Sequence, residues 1–465
     1  MRLLQKKLLS ISFIFCLFAC SVSAQKKLQN SKQDQEIIGK QAVPVPGKAS
    51  PLAAKLTRPA KDYMTVELDG VEISLDKQPV VKNGVIKTPI QGVPSDVLAE
   101  WESTSKTIIL TTKHNFDKST GLPAPKGLMR ALSLNRFSTE ERRQKLADDL
   151  RKNPYLEGVY IGMSWKDIEP EKGKFDFIAL DALIQVIRDA NLDYKLSVMP
   201  GKECPPYIYK GLKYKINTIV SNPHRPDYNQ KIIVPVPWDP FYQENLKRMF
   251  STVFGRYKND SHFVVACLTG ANHMSSEWHL PKSPEDIAQW KAIAPNYADR
   301  IRDFWIDMID FIAVLLPDKR MALSASSTPL GGMSDQANEI VEYGIAKYPG
   351  QFMIQINQLH GNNDQKTFEA FARVMRNSKR ITVGLQSLAN VKSGITGRDM
   401  RQGTLEMGVY NFLQSGANYW ELWDGDGADV PTCRLIYEQI KFASALGVKG
   451  YKDWLISQGM FIDAK

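Results

Sequence analysis

Two carboxylates, Glu277 and Glu421, stand where predicted apolar strands end or run, and their surroundings suggest chemistry. Glu277 belongs to a polar and aromatic cluster, Asn272, His273, Ser275, Ser276, Glu277, Trp278 and His279, which follows the apolar run Val264–Leu268. Glu421 lies between Trp420 and Leu422-Trp423 in an otherwise apolar stretch, and burying a carboxylate there costs several kcal/mol unless a partner offsets it. Such a pair suits general acid–base or nucleophilic chemistry, one group giving a proton while the other attacks or activates water. The plainer readings stay open. Glu277 could be a solvated loop carboxylate, and Glu421 a structural group satisfied by an arginine such as Arg130. Asp424 and Asp426 are weaker alternatives, because Asp-Gly-Asp-Gly reads first as a turn. Gln355, His360, Asn272, His273 and His279 are amides and imidazoles of the kind that hydrogen-bond hydroxyl groups.

Other chemistries lack their residues. No H-E-x-x-H or comparable ligand set suggests a metal, no G-x-S-x-G suggests a serine nucleophile, and no G-x-G-x-x-G follows the first strand. No cofactor or metal is expected.

The elements that must position these groups follow a strand–helix rhythm. Eight apolar strands are predicted at 127–132, 158–163, 192–199, 263–268, 320–324, 352–356, 381–385 and 417–422. Amphipathic stretches separate them at 142–150, 180–189, 242–254, 296–315, 338–347, 365–375 and 400–414. Continuous apolar strands indicate a parallel sheet buried on both faces. Polar clusters end most strands, not one switch point, so a (β/α)8 TIM barrel is expected over 122–465, with its site at the carboxyl ends of the strands. Val234-Pro235-Val236-Pro237-Trp238-Asp239-Pro240 would rim the cleft or act as a rigid linker.

The first 121 residues read differently. Arg2, Lys6 and Lys7 precede an apolar run from Leu8 to Ala19 and a small-x-small site at Ala24, a signal peptide over 1–24. Cys20 offers an alternative lipid anchor. Residues 25–60 are a polar, Pro-containing tether. Residues 61–115 form a small β-rich module with a hairpin at Asp69-Gly70 and a short helix near Pro94 to Glu100. No later stretch is long and apolar enough to span a membrane. Removing the signal takes away three cations and lowers the formal charge from +10 to +7, which would suit an acidic glycan. No Lys/Arg run with interleaved aromatics points to nucleic acid. The five cysteines fall to three, Cys204, Cys267 and Cys433, without disulfide or zinc spacing.

Particular motifs carry resemblances. The run V-E-L-D-G-V-E-I-S-L through W-E-S-T-S-K-T-I-I-L, residues 66–110, resembles the small β domain found at the N-terminus of copper amine oxidases, here without its copper ligands. Ser164-Trp165-Lys166-Asp167-Ile168-Glu169-Pro170, then Gly173-Lys174-Phe175-Asp176-Phe177 and Leu180-Asp181, resembles the W-x-x-I-E-P-x-x-G-x-F-D-F signature of barrel glycoside hydrolases such as β-galactosidases, xylanases and β-amylases. The stretch Gly270 to Pro281 is similar to the one carrying the β-amylase acid. The resemblance implies hydrolysis of glycosidic bonds by two carboxylates, with Glu277 as acid and Trp165, Trp420 and Trp423 against the sugar. It also implies a nucleophilic Glu at the end of strand seven, where this chain has Gln386. Glu421 is then the candidate second carboxylate, and Asp424 and Gln386 would touch substrate. An exported glycoside hydrolase is expected. The alternatives are a barrel that binds glycans without cleaving them, and a lyase using His and Tyr.

Overall fold

The structure, a computed structural model, describes six strands between residues 65 and 112, and residues 122–461 except 224, 226, 274, 363, 364, 366–368 and 400. The signal segment and tether expected over 1–60 lie outside the described residues. The chain divides into two compact units, Met1–His114 and Asn115–Lys465.

In the first unit, strands Val71–Ile73, Thr65–Leu68, Thr107–Thr112 and Val97–Glu102 are neighbours in that order in one sheet. Leu68 pairs with Val71 across the expected Asp-Gly turn. The helix expected near Pro94 to Glu100 is instead the strand Val97–Glu102, antiparallel to Thr107–Thr112. Val97 and Trp101 are residue types common in strands, and the segment pairs along its whole length with Thr107–Thr112.

The second unit is a closed barrel of eight parallel strands. They are β1 (Gly127–Ser133), β2 (Leu156–Ser164), β3 (Asp193–Met199), β4 (Phe263–Leu268), β5 (Arg320–Ser324), β6 (Phe352–Leu359), β7 (Val383–Ser387) and β8 (Tyr419–Trp423). Pairing of Tyr419–Trp423 with Gly127–Ala131 closes the ring. Each strand lies within a few residues of its sequence-based position. The main helices are α1 (Glu140–Arg151), α2 (Ile178–Asp189), α3 (Pro240–Tyr257), α4 (Tyr297–Leu315), α5 (Ser334–Lys347), α6 (Glu369–Asn377), α7 (Leu405–Ser415) and α8 (Val430–Ser457). α7 starts five residues later than the sequence pattern suggested, because Thr404 caps it by accepting the Met407 amide at 3.3 Å.

Helical spacing puts Leu180, Leu183, Ile184 and Ile187 of α2, and Ile301, Trp305, Met308 and Ile312 of α4, on buried faces against the barrel. Strand alternation does the sorting inside. On β8, Trp420 and Leu422 join the large core between strands and helices, whereas Tyr419 joins a separate inner cluster with Met129, Val265, Ala322 and Met353. The barrel interior is therefore apolar at one level, with polar residues one layer nearer the carboxyl ends. The Val234–Pro240 segment belongs to the connection that leaves the carboxyl end of β3. It supplies a strand of a hairpin with 215–219 and the cap of α3, Asp239, which accepts the amides of Tyr242, Lys213 and Tyr214.

Gly384 of β7 has a packing role. A Cβ there would come within 2.0 Å of the Tyr419 ring, so the glycine leaves room for that ring to lie across the barrel interior. We predict that Gly384→Ala destabilises the protein by about 1–3 kcal/mol through overpacking, read as a lower midpoint in urea. An unchanged midpoint would show that Tyr419 can move without cost.

Candidate functional site

The polar layer centres on Glu421, which is fully buried. Its Oε2 accepts from Lys195 Nζ of β3 at 2.8 Å, and its Oε1 accepts from Gln386 Nε2 of β7 at 2.5 Å. Lys195 also donates to the Tyr419 hydroxyl at 2.9 Å and to Gln355 Oε1 of β6, and Tyr419 donates to the same Gln355 oxygen at 2.5 Å. Gln355 Nε2 goes on to Asn357 Oδ1 at 2.8 Å. Burial alone would pull the Lys195 ammonium down, but the Glu421 carboxylate, Tyr419 and Cys267 together hold the group above the usual lysine range. Four strands thus contribute to one buried ion pair and its hydrogen-bonded surround.

Gln386 occupies the strand-seven position where the family pattern has a carboxylate. Its amide donates to Glu421, so a carboxylate in its place would set two acceptors of like charge against each other. Arg130 does not serve Glu421 at all. It binds Asp424 at 2.8 Å, where Arg136 joins at 3.1 Å, so both Asp424 oxygens are held by arginines.

Tyr160 of β2, half-buried, is the register partner of Lys195, and its ring lies 5.6 Å from Lys195 Nζ. Burial pushes its phenol above the ordinary tyrosine range. Loss of hydration likewise pushes the Cys267 thiol up to about 11.

The β4 loop is fastened on both sides. Gly270 and Gly201 take positive φ, and a Cβ at Gly201 would strike the Asn272 carbonyl oxygen at 2.6 Å, which draws the β3 loop onto it. Asn272 is spent on the loop itself, accepting the Gly270 amide at 2.8 Å and donating to the Ser275 carbonyl. His273 Nδ1 lies 2.7 Å from the His279 carbonyl and therefore carries its proton there. Burial lowers this imidazole to about 4, leaving it neutral near pH 7. His279 Nε2 is 2.6 Å from the Ser326 carbonyl, and the Trp278 indole donates to that same carbonyl at 2.9 Å. Glu277 is half-buried, with its amide bonded to Ser275 Oγ at 3.3 Å.

The aromatic expectations divide. Trp423, 43% exposed at the end of β8, keeps an open ring whose indole donates to the Ser387 carbonyl at 2.9 Å. Trp165 is fully buried, and its indole donates to Glu169 at 2.8 Å, so it cannot lie against a substrate. Glu169 also takes the Gly173 amide at 2.6 Å and Arg248 at 2.5 Å, which makes the W-x-x-I-E-P motif a fold-forming turn. Trp420 faces outward, stacks on Phe412 at 5.6 Å and donates to Ser387 Oγ at 2.7 Å. His360 is buried, with its amide on Gln365 and its ring Nδ1 accepting the Asn362 amide at 3.3 Å.

Sequence reasoning missed Lys195, Tyr160 and Tyr419. It also missed Glu203, which follows β3. Burial would raise the Glu203 carboxyl, but hydrogen bonds from Lys166 and Lys202 hold it below the usual range. Beside it Lys202 and Arg225 keep Asp227 down at about 2, against the opposing effect of burial. Lys195 did carry a signal, being a charge inside an apolar strand, the same signal that singled out Glu421. Among the described residues no group of three or more His, Cys, Asp or Glu is placed to hold a metal ion.

Residues 139–291, well under half of the chain, match the glycoside hydrolase 42 family model, described as β-galactosidase. Among solved structures, the β-galactosidase of the psychrophilic Marinomonas ef1 is similar at 11% identity and TM-score 0.46, covering 72% of this chain and 61% of its own. The β-galactosidase of Halorubrum lacusprofundi gives 14% identity and TM-score 0.44, covering 68% and 58%. The catalytic domain of the Paenibacillus polymyxa β-amylase gives 11% and 0.42, covering 64% and 93%. The matched region thus spans less than two thirds of either β-galactosidase. No curated protein matches the chain in sequence.

The ion pair yields a stability prediction. Removing one member of a buried pair typically costs about 3–5 kcal/mol, whereas replacing both can approach neutrality. Lys195→Met should therefore lose that much in urea unfolding, and Lys195→Met/Glu421→Gln should recover most of the loss. Additive losses would mean that the two side chains are not coupled.

Proposed function

We propose that this chain is a glycoside hydrolase acting at the carboxyl end of its barrel, with Glu277 as general acid and Glu421 as the second carboxylate. The observation that carries the reading is that two strand ends of one barrel supply both carboxylates. Glu277 sits on the fastened loop after β4, Glu421 lies in the polar layer on β8, and the exposed Trp423 ring stands two residues beyond Glu421. The match of residues 139–291 to a β-galactosidase family model supports the same class.

In this reading Trp423 offers a flat apolar face to a pyranose ring. Glu277 protonates the glycosidic oxygen as the bond to the anomeric carbon breaks. Glu421, oriented by Lys195 and Gln386, supplies the negative charge that faces the oxocarbenium-like carbon. The net positive charge of the chain would favour acidic glycans, and a β-galactoside is the natural first substrate to try. The basic, apolar and small-residue pattern of 1–24 supports export. The mass of the exported protein distinguishes the routes: a chain beginning at Gln25 indicates soluble export, an acylated Cys20 an anchor, and an intact Met1 neither.

A second reading, a barrel that binds glycans without cleaving them, draws on the full burial of Glu421 and the engagement of both its oxygens. Turnover separates the two. On a panel of β-galactosides and other glycans, wild type should release reducing ends. Glu277→Gln and Glu421→Gln should each lower kcat by about 10²–10⁴-fold, the range for loss of an acid–base group, with circular dichroism unchanged. Binding by calorimetry without release by wild type would decide for the non-hydrolytic reading.

A further inference from the structure

Away from the barrel mouth, a groove runs between α5 and α6. Val341 and Glu342 of α5 form one wall, and Arg373, Arg376 and Asn377 of α6 form the other, with Arg380 just beyond the helix end. Arg373, Arg376 and Asn377 share one face by their three- and four-residue spacing. Like charges on such a face repel, so an arginine row needs counter-charge.

The protein supplies only part of it. Arg380 is bound through two nitrogens to Glu342, at 2.8 Å each. Arg373 is 1% exposed; it reaches Glu369 at 3.3 Å and donates to the carbonyls of Ala325 and Ser327 at 3.1 and 2.8 Å. Its Nε nonetheless has no hydrogen-bond partner, although buried. A buried guanidinium nitrogen left unpaired carries its desolvation cost without compensation. Arg376, on the exposed side of the same groove, has no carboxylate within ion-pair distance among the described residues. The lining carries three guanidinium groups against the single carboxylate of Glu342.

We propose that this groove binds a small tetrahedral oxyanion of the sulfate or phosphate type at Arg376, with the incompletely satisfied Arg373 guanidinium adding positive charge behind it. Guanidinium forks match the oxygens of such an anion, and charge-assisted bonds of this kind are roughly twice as strong as neutral ones. The anion comes either from free salt or from an ester on a sugar. The inner end of the site is not isolated. The Arg373 guanidinium lies 5.5 Å from the Trp278 ring and holds the β5 loop on which Trp278 and His279 are anchored.

The test is calorimetric titration of the full chain with sodium sulfate and with sodium phosphate, at ionic strength matched by sodium chloride. Wild type should bind one anion in the millimolar range or tighter. Arg376→Gln, a change at an exposed residue, should weaken binding at least tenfold. Glu342→Gln, which removes the only lining carboxylate, should tighten it severalfold. Lys449→Gln, on α8, serves as the surface-charge control and should leave it unchanged. Glucose 6-sulfate against glucose then separates the sources, since an ester that binds as well as free sulfate makes the groove a glycan subsite, and binding of the free ion alone makes it an ion site. Absence of binding in wild type, or equal weakening in Arg376→Gln and Lys449→Gln, would overturn the proposal.

Discussion

The Lys195–Glu421 ion pair is the constraint around which the barrel interior is built. Two full charges removed from water need more than each other, because desolvation of a buried pair can exceed the Coulombic gain unless the remaining hydrogen-bonding capacity is filled. Here it is filled from β6, β7 and β8 by Gln355, Gln386 and Tyr419. Each of those choices then constrains another. Tyr419 can reach Lys195 only because Gly384 gives its ring room, and Gln355 can accept twice only because its amide nitrogen is taken up by Asn357. Gln386 is the amide that fills the second Glu421 oxygen from the neighbouring strand.

The second organising feature is the fastening of the β4 loop. Its backbone is tied to β5 and the loop beyond by Trp278 to the Ser324 carbonyl at 3.2 Å and Leu280 to the Pro329 carbonyl at 3.0 Å, and to the β3 loop by Lys202 to the His273 carbonyl at 3.0 Å. Indole, imidazole and guanidinium groups converge on the carbonyls of residues 325–327. A loop held this way fixes the backbone at Glu277 without needing a ligand to order it, which is the property the proposed acid role requires.

The barrel was readable in the sequence because strands buried on both faces leave continuous apolar runs, and Phe263–Leu268 is bounded in the structure where its apolar run begins and ends. The site was only partly readable. Glu421 drew attention as a charge among apolar residues, yet its partner Lys195, 226 positions earlier, could not be matched to it without the ring closure that brings β3 and β8 to one layer. The tryptophans show the same limit. Period-two alternation makes Trp420 and Trp423 face opposite ways, so only one can meet solvent at the mouth. Trp165 looked like a binding group because its motif is shared by sugar-cleaving barrels, whereas its burial against Glu169 makes the motif a turn. The strand at 97–102 was mistaken for a helix because a Pro followed by acidic and small residues resembles a helix start more than it resembles a pleat.

The most direct measurement is the dependence of the hydrolysis rate on leaving-group acidity, for wild type and Glu277→Gln, across a series of aryl glycosides. If Glu277 gives its proton to the departing oxygen, the variant should hydrolyse dinitrophenyl glycosides nearly as fast as wild type, and glycosides with poor leaving groups far more slowly. A variant that loses the same factor across the whole series, or loses nothing anywhere, would contradict the assignment of the acid and with it the account of how this barrel mouth works.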